Sequence, residues 1–152
     1  MAHEWKQGGY TISTDRARID LKTVHSFLTE SYWAAGVPFE IVRRSIENSL
    51  AFGLYKDDRQ VGFARVITDY ATFAYLADVF ILEEFRSQGL GHWLVRTITS
   101  HAELQGLRRW MLATRDAHGI YKTVGFTGLK APERWMEKHL PDVYAKTEAA
   151  NE

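Results

Sequence analysis

Three observations predict an α/β fold for this chain. An apolar run enters a glycine-containing loop and then an amphipathic helix. A short polar turn joins two apolar strand-like runs, and two amphipathic stretches precede that hairpin. In chain order, residues 10–13 alternate apolar and polar side chains, the period of a half-buried strand. Asp20 is placed to cap a helix over residues 21–33, with Leu21, Val24, His25 and Leu28 on one face. Gly36 and Pro38 end it. A second helix is predicted over 39–49, turning Ile41, Val42, Ser45 and Ile46 inward.

Strands are predicted over 50–55 and 60–68, joined across Lys56-Asp57-Asp58-Arg59. Residues 71–82 form the central strand, apolar on both faces and therefore covered on both. A helix over 90–104 places Leu90, Leu94, Ile98 and Ala102 four residues apart. A strand over 109–114, a short helix over 117–124 and a last strand over 126–130 follow. Residues 132–146 read as partly helical, and the tail, about 142–152, as frayed at 148–152. No repeat or linker interrupts the 152 residues, one domain's worth, with a core over about 8–130.

The most informative residues are Arg86-Ser87-Gln88-Gly89-Leu90-Gly91, between the central strand and the helix. Backbone N–H groups at such a junction form an anion-attracting concavity, and the helix dipole adds partial positive charge. Glycines at 89 and 91 keep Cβ atoms out of the way of phosphate oxygens, and Arg86 supplies a cation. A Walker loop would need a Lys-Ser/Thr pair after Gly91, and a dinucleotide loop a third glycine where Leu94 stands. Neither is present.

The pattern Arg/Gln-x-x-Gly-x-Gly/Ala resembles the coenzyme A loop of the GCN5-related N-acetyltransferases. Two further elements share that resemblance. Ile120-Tyr121-Lys122-Thr123-Val124-Gly125-Phe126 resembles the family's Leu-Tyr-x-x-x-Gly-Phe element, and Asp78 to Arg86 resembles its central strand running into the loop. The three stand in the family's order and cover about residues 50–130; the first fifty residues match only loosely. The resemblance implies the family's acyl-CoA N-acyltransferase fold, a mixed, mostly antiparallel sheet flanked by helices on both faces. It also implies acetyl-CoA as cofactor and acetyl transfer to a primary amine.

By that resemblance, the pantetheine arm runs along Phe80, Ile81 and Leu82, and a backbone N–H near Ile81 or Leu82 meets the thioester carbonyl. Arg86, Ser87, Gln88, Gly89, Leu90, Gly91 and His92 hold the pyrophosphate, and Tyr121 protonates the departing thiolate. Thr114 stands where many members carry an asparagine against the pantetheine arm, which puts that contact in doubt. Glu83 replaces a proline common in the family. Each role has an ordinary structural counterpart: Tyr121 as a core aromatic, for example, with its hydroxyl satisfied by a neighbour.

Transfer to an amine needs a neutral nucleophile, although a free alkylamine has a pKa of about 10. Asp78 is the carboxylate inside an otherwise apolar strand, and the resemblance suggests that it binds the amine or relays its proton. The competing reading is that it fixes a strand bulge or pairs with an arginine. Glu83, Glu84, His118 or water are the other candidate bases. His118 sits three residues before Tyr121 on the same helical face, and is also a candidate cofactor contact. Asp116 reads as the cap of that helix.

The resemblance implies that the first two helices flank the acceptor, so Tyr32, Trp33, Phe39 and Glu40 are candidate linings, joined by Tyr70, Phe73 and Tyr75. Aromatic walls suit an amine with an apolar body; the alternative is plain core or a dimer interface. Arg65, Arg108, Arg109 and Arg115 read as solvated, with Arg115 able to meet an acidic substrate group.

Lys plus Arg equals Asp plus Glu, 19 each, so no global field favours nucleic acid or a membrane surface. With no cysteine, there is no disulfide framework, thiolate metal site or thiol nucleophile, and no metal is expected. The first residues lack a signal peptide's apolar core, and no run reaches membrane-spanning length. A cytoplasmic protein acting on a small-molecule amine is expected, with a homodimer permitted. A protein lysine or N-terminus is the alternative acceptor, and a non-catalytic acyl-CoA sensor the alternative function.

Overall fold

The computed structural model describes residues 1–145, so the expectation of a frayed end at 148–152 lies outside the described residues. A six-stranded sheet runs in sequence order: β1 (Glu4–Gln7), β2 (Tyr10–Ser13), β3 (Leu50–Lys56), β4 (Arg59–Thr68), β5 (Phe73–Ile81) and β6 (Arg109–Met111). Every neighbouring pair is antiparallel except β5 with β6. The expected mixed, mostly antiparallel sheet is present.

Helices cover both faces. On one side α1 (Leu21–Leu28) and α2 (Phe39–Glu47) bury Val24, Leu28, Val42 and Ile46 against Ala51, Phe63 and Phe80. On the other, α3 (Leu90–Thr99) buries Leu90, Trp93, Leu94 and Ile98 against Ile12, Phe52, Leu54 and Val66. The short α4 (His118–Lys122) follows β6 and packs Tyr121 on this second core. Asp20 caps α1 as expected, its carboxylate accepting from the Thr23 N–H at 3.2 Å.

Several boundaries differ from expectation for local reasons. Helix α1 stops at Leu28, because the Ser31 hydroxyl donates to the Leu28 carbonyl at 2.7 Å and accepts from Ala34 N–H at 3.1 Å. A side chain that serves the backbone in this way competes with helix propagation. Helix α3 ends at Thr99, and His101 Nδ1 then accepts from Glu103 N–H at 3.0 Å, capping a separate 3-10 turn. Strand β5 begins at Phe73 because one oxygen of Asp69 accepts from the N–H groups of Ala71, Thr72 and Phe73. The expected strand over 126–130 does not form, whereas residues 132–145 are helical in part, as expected, with a 3-10 turn at Pro132–Arg134 and helical residues at 143–145. Strand β1 was not anticipated. Its Glu-Trp-Lys-Gln run is polar, yet pairing brings Trp5 opposite Ile12.

The feature that positions the site is a divergence. Strand β6 pairs with β5 only from Phe73↔Arg109 to Tyr75↔Met111. The remainder of β5, from Leu76 to Ile81, has no β6 partner on that side, so the sheet splits between these two strands.

Candidate active site

The split opens into a cleft of about 790 Å³ whose walls include Tyr32, Trp33, Tyr75, Asp78, Thr114 and Tyr121. These residues come from the α1–α2 loop, β5, the β6–α4 loop and α4. Sequence reading selected all six, and the fold brings them together. Phe39, Glu40, Tyr70 and Phe73, also candidates for the acceptor wall, do not line this cleft. Phe39 instead packs edge-on against His25 at 5.5 Å, and Glu40 pairs with Arg43.

Asp78 sits at a bulge. Gly62 pairs with Ile81 and Phe63 with Phe80, but Arg65 pairs with Ala77, so Asp78 and Val79 together oppose Ala64. The Asp78 backbone is left-handed, at φ 55°, a conformation that aspartate tolerates better than most non-glycine residues. Its Oδ2 accepts from Arg65 Nε at 2.6 Å and its Oδ1 from Trp33 Nε1 at 2.8 Å. Arg65 is therefore a buried partner, its side chain 17% exposed against 11% for Asp78, and not the solvated arginine expected. Bulge and arginine partner both occur, and both carboxylate oxygens are engaged.

Tyr121 packs edge-to-face with Phe126, 6.1 Å from ring centre to ring centre, and lines the cleft. Burial, and then the proximity of Tyr32, push its hydroxyl pKa above the ordinary phenol value. The proton is held more firmly, as suits a group that must carry it until a leaving group needs it. Tyr32 accepts from the Arg115 N–H at 3.1 Å, and the Arg115 guanidinium lies 3.9 Å from its ring centre, so two walls of the cleft touch.

At the top of β5, Leu82 N–H donates to the Val61 carbonyl at 2.8 Å, which removes it as a free donor. Successive N–H groups of an antiparallel strand point to opposite sides, so the Ile81 N–H faces away from β4 and toward the split. Of the two expected oxyanion donors, Ile81 is the available one. Phe80 is core, stacked 4.0 Å from Phe27.

The loop that follows turns through Ser87 at φ 66° and Gly89 at φ 80°. Gly89 is the N-cap of α3, and no side chain caps that helix. Its first-turn N–H groups therefore lack a side-chain acceptor and offer an anion seat. Arg86 donates Nε to the Ile81 carbonyl at 2.8 Å, which fixes the guanidinium beside the loop. Gln88 turns back, donating to the Phe85 carbonyl at 3.2 Å and accepting from Tyr10 Oη at 3.2 Å. Leu90 is buried beneath the loop, and Gly91 and His92 follow in the first turn of α3. A diphosphate at the loop with an extended arm along β5 matches this donor set.

Other expectations are redistributed. Thr114 Oγ1 accepts from Ala117 N–H at 3.1 Å and so supports the turn into α4. Asp116, expected to cap that helix, instead pairs with Arg115 at 3.5 Å and faces the cleft. His118 opens α4, exposed and outside the cleft lining. Glu84 pairs with Arg59 at 3.0 Å, and Glu83 is exposed in the 3-10 turn after β5. Sequence reading missed Glu137, His139 and Tyr144, which return from the C-terminal segment to line the cleft. No sequence period marks such residues, because that segment has little regular structure. Among the described residues there is no cluster of three or more potential metal ligands, and no helix is long and apolar enough to cross a membrane.

Known proteins similar to this chain include acetyltransferases by name. The chain is 32% identical over 156 residues to the Gibberella zeae protein named "Putative acetyltransferase FG08082", covering 83% of this chain and 87% of that one. It is 30% identical to the Sus scrofa thialysine N-epsilon-acetyltransferase over 83 residues, about half of each chain (49%). A Xanthomonas campestris crystal structure assigned to the GNAT family superposes with a TM-score of 0.88 at 45% identity, covering 92% of this chain and 99% of that one. The model of the acetyltransferase (GNAT) family matches residues 16–126, and this chain belongs to that family.

Proposed function

We propose that this protein transfers the acetyl group of acetyl-CoA to a primary amine on a small molecule. One observation carries the reading: the split between β5 and β6 opens one cleft onto the free edge of β5, Asp78 and Tyr121. The relatives named thialysine N-epsilon-acetyltransferase support a side-chain or small-molecule amine as acceptor. The uncapped N-terminus of α3, Gly89 and Arg86 would hold the pyrophosphate, with Ser87, Gln88 and His92 beside it. Acetyl-CoA bound there would supply the activated acetyl group and a thiol leaving group.

The chain's own residues account for the rest. The Ile81 N–H is rigid in its strand and points where a carbonyl oxygen gains negative charge. Asp78 accepts an N–H from the amine and orients its lone pair. Because Arg65 already balances the carboxylate's charge, this seat does not oppose loss of the ammonium proton as a lone carboxylate would; that proton, and the one the nitrogen sheds as the amide forms, pass to water in the cleft. Tyr121 retains its proton for the departing sulfur. Holding both partners in one cleft can contribute about 7–11 kcal/mol of the barrier reduction.

The test is thiol release from acetyl-CoA against polyamines, arylalkylamines, amino acids, aminoglycosides and lysine peptides. Amine-dependent release that drops in Tyr121→Phe is expected. Coenzyme A binding without release on any amine would replace the enzyme with an acyl-CoA sensor, and release on lysine peptides alone would move the acceptor to protein.

A further inference from the structure

Asp78 already has an occupant. In the described structure the hydrogen-bonding position on Oδ1 is filled by the indole N–H of Trp33 at 2.8 Å. The two partners of Asp78 are held very differently. Arg65 lies on β4 inside the sheet, its side chain 17% exposed. Trp33 belongs to the loop between α1 and α2 and is 41% exposed. Its ring contacts are Tyr32 at 5.0 Å and Phe27 at 6.2 Å, one of them an exposed neighbour on the same loop. The loop closes through Gly36 at φ 79°. Anything that needs a hydrogen bond from Asp78 meets a fixed arginine on one oxygen and a displaceable indole on the other.

We propose that Trp33 is a specificity-determining residue: its indole N–H holds Asp78 Oδ1 until an acceptor amine displaces it. The acceptors favoured are primary amines carrying an apolar body. The amine N–H replaces the indole N–H one for one, so the carboxylate is never left without a donor. The apolar body takes the space that the ring leaves beside Tyr32 and Tyr75. A small polar amine could make the hydrogen bond but would leave the vacated wall wet, and an alcohol has a single neutral O–H donor and no cationic form to strengthen its bond to the carboxylate. This inference rests on the reading of Asp78 as the amine's seat. An internal competitor lowers apparent acceptor affinity by the fraction of molecules in which it still occupies the seat.

The experiment observes the indole directly. Proton–nitrogen correlation spectra resolve the indole N–H groups of the five tryptophans, with Trp33→Phe assigning its own. Phenethylamine and hexylamine are the probes, hexanol the control. The Trp33 signal should move from a hydrogen-bonded to a solvent-exposed shift with either amine, and hexanol should leave it in place. In Asp78→Asn the amines should have much less effect. A Trp33 signal that stays fixed at saturating amine overturns the inference whatever the turnover result. A signal that moves without any thiol release upholds it and removes acetyl transfer instead. In kinetics, Trp33→Phe should lower the KM of phenethylamine about three- to tenfold, the size of one lost hydrogen bond. Coenzyme A affinity should be unaltered. A KM that is unchanged or raised also overturns it.

Discussion

Replacing Asp78 by alanine and by asparagine separates what its charge contributes from what its backbone contributes. Breaking a buried ion pair by removing one partner costs about 3–5 kcal/mol. Here the side chains are 11% and 17% exposed and border an open cleft, so screening reduces this to about 2–4 kcal/mol. Asparagine keeps an oxygen for Arg65 or Trp33 and tolerates the left-handed backbone at φ 55°. Asp78→Asn should therefore cost about 1–3 kcal/mol. Alanine strands the Arg65 guanidinium and the Trp33 N–H, and adds about 1–2 kcal/mol for a left-handed residue without a helpful side chain. Asp78→Ala should cost about 3–6 kcal/mol, lowering Tm by roughly 10 °C or more in a chain of this size. Urea unfolding of both variants, with Arg65→Met added to each, is the assay. Arg65→Met should recover part of the alanine loss by removing the stranded charge. Equal losses below about 1 kcal/mol in both single variants, or no recovery in the double, would refute the buried-pair account.

Further outcomes follow from the same geometry. Tyr121→Phe should reduce kcat about tenfold or more and leave the Kd of coenzyme A unchanged; an unaltered kcat removes Tyr121 from the chemistry. Because burial raises its pKa and the protonated form is the working one, kcat in the wild type should not fall on the alkaline side until above about pH 10. A decline near pH 8 assigned to Tyr121 by its absence in the phenylalanine variant would contradict this. Gly89→Asp should abolish coenzyme A binding in isothermal titration by putting a carboxylate at the anion seat. It should still fold, because the added side chain meets open space, although a non-glycine residue at φ 80° should lower stability by about 1–2 kcal/mol. His101 is buried, and burial, followed by His3, lowers its pKa below the usual 6.5. The unfolded chain then binds the extra proton first, so stability falls as pH drops below about 6.5 toward the lower folded value. His101→Phe should flatten the loss of urea midpoint between pH 7.5 and pH 5, and an unchanged slope would exclude His101 as its source.

The parts of this molecule that were legible in its sequence are those encoded locally. Asp20 caps its helix because the bond it makes is to Thr23, three residues on. The turn at Asp57 and the strand–loop–helix around Gly89 are likewise written in adjacent residues. The six candidate residues that meet in the cleft were legible through type and family pattern. What could not be read depends on distant partners. Trp33 and Asp78 are 45 residues apart, and Tyr32 and Arg115 are 83 apart. Asp78's place at a bulge follows from a slip in pairing with β4, which no alternation within β5 reveals. Likewise residues 126–130 carry a strand-like pattern, yet the sheet ends at β6 and they add no strand to it.

One sheet with a separate core on each face makes the molecule a partition. The loop over residues 86–91, α3 and Tyr121 pack on the core around Leu94 and Ile98, whereas α1, α2 and the loop bearing Trp33 pack on the core around Val42 and Phe63. Under the acetyl-transfer reading, a change of side-chain volume in the second core would therefore reshape the wall offered to the amine and leave the N-terminus of α3 as it is.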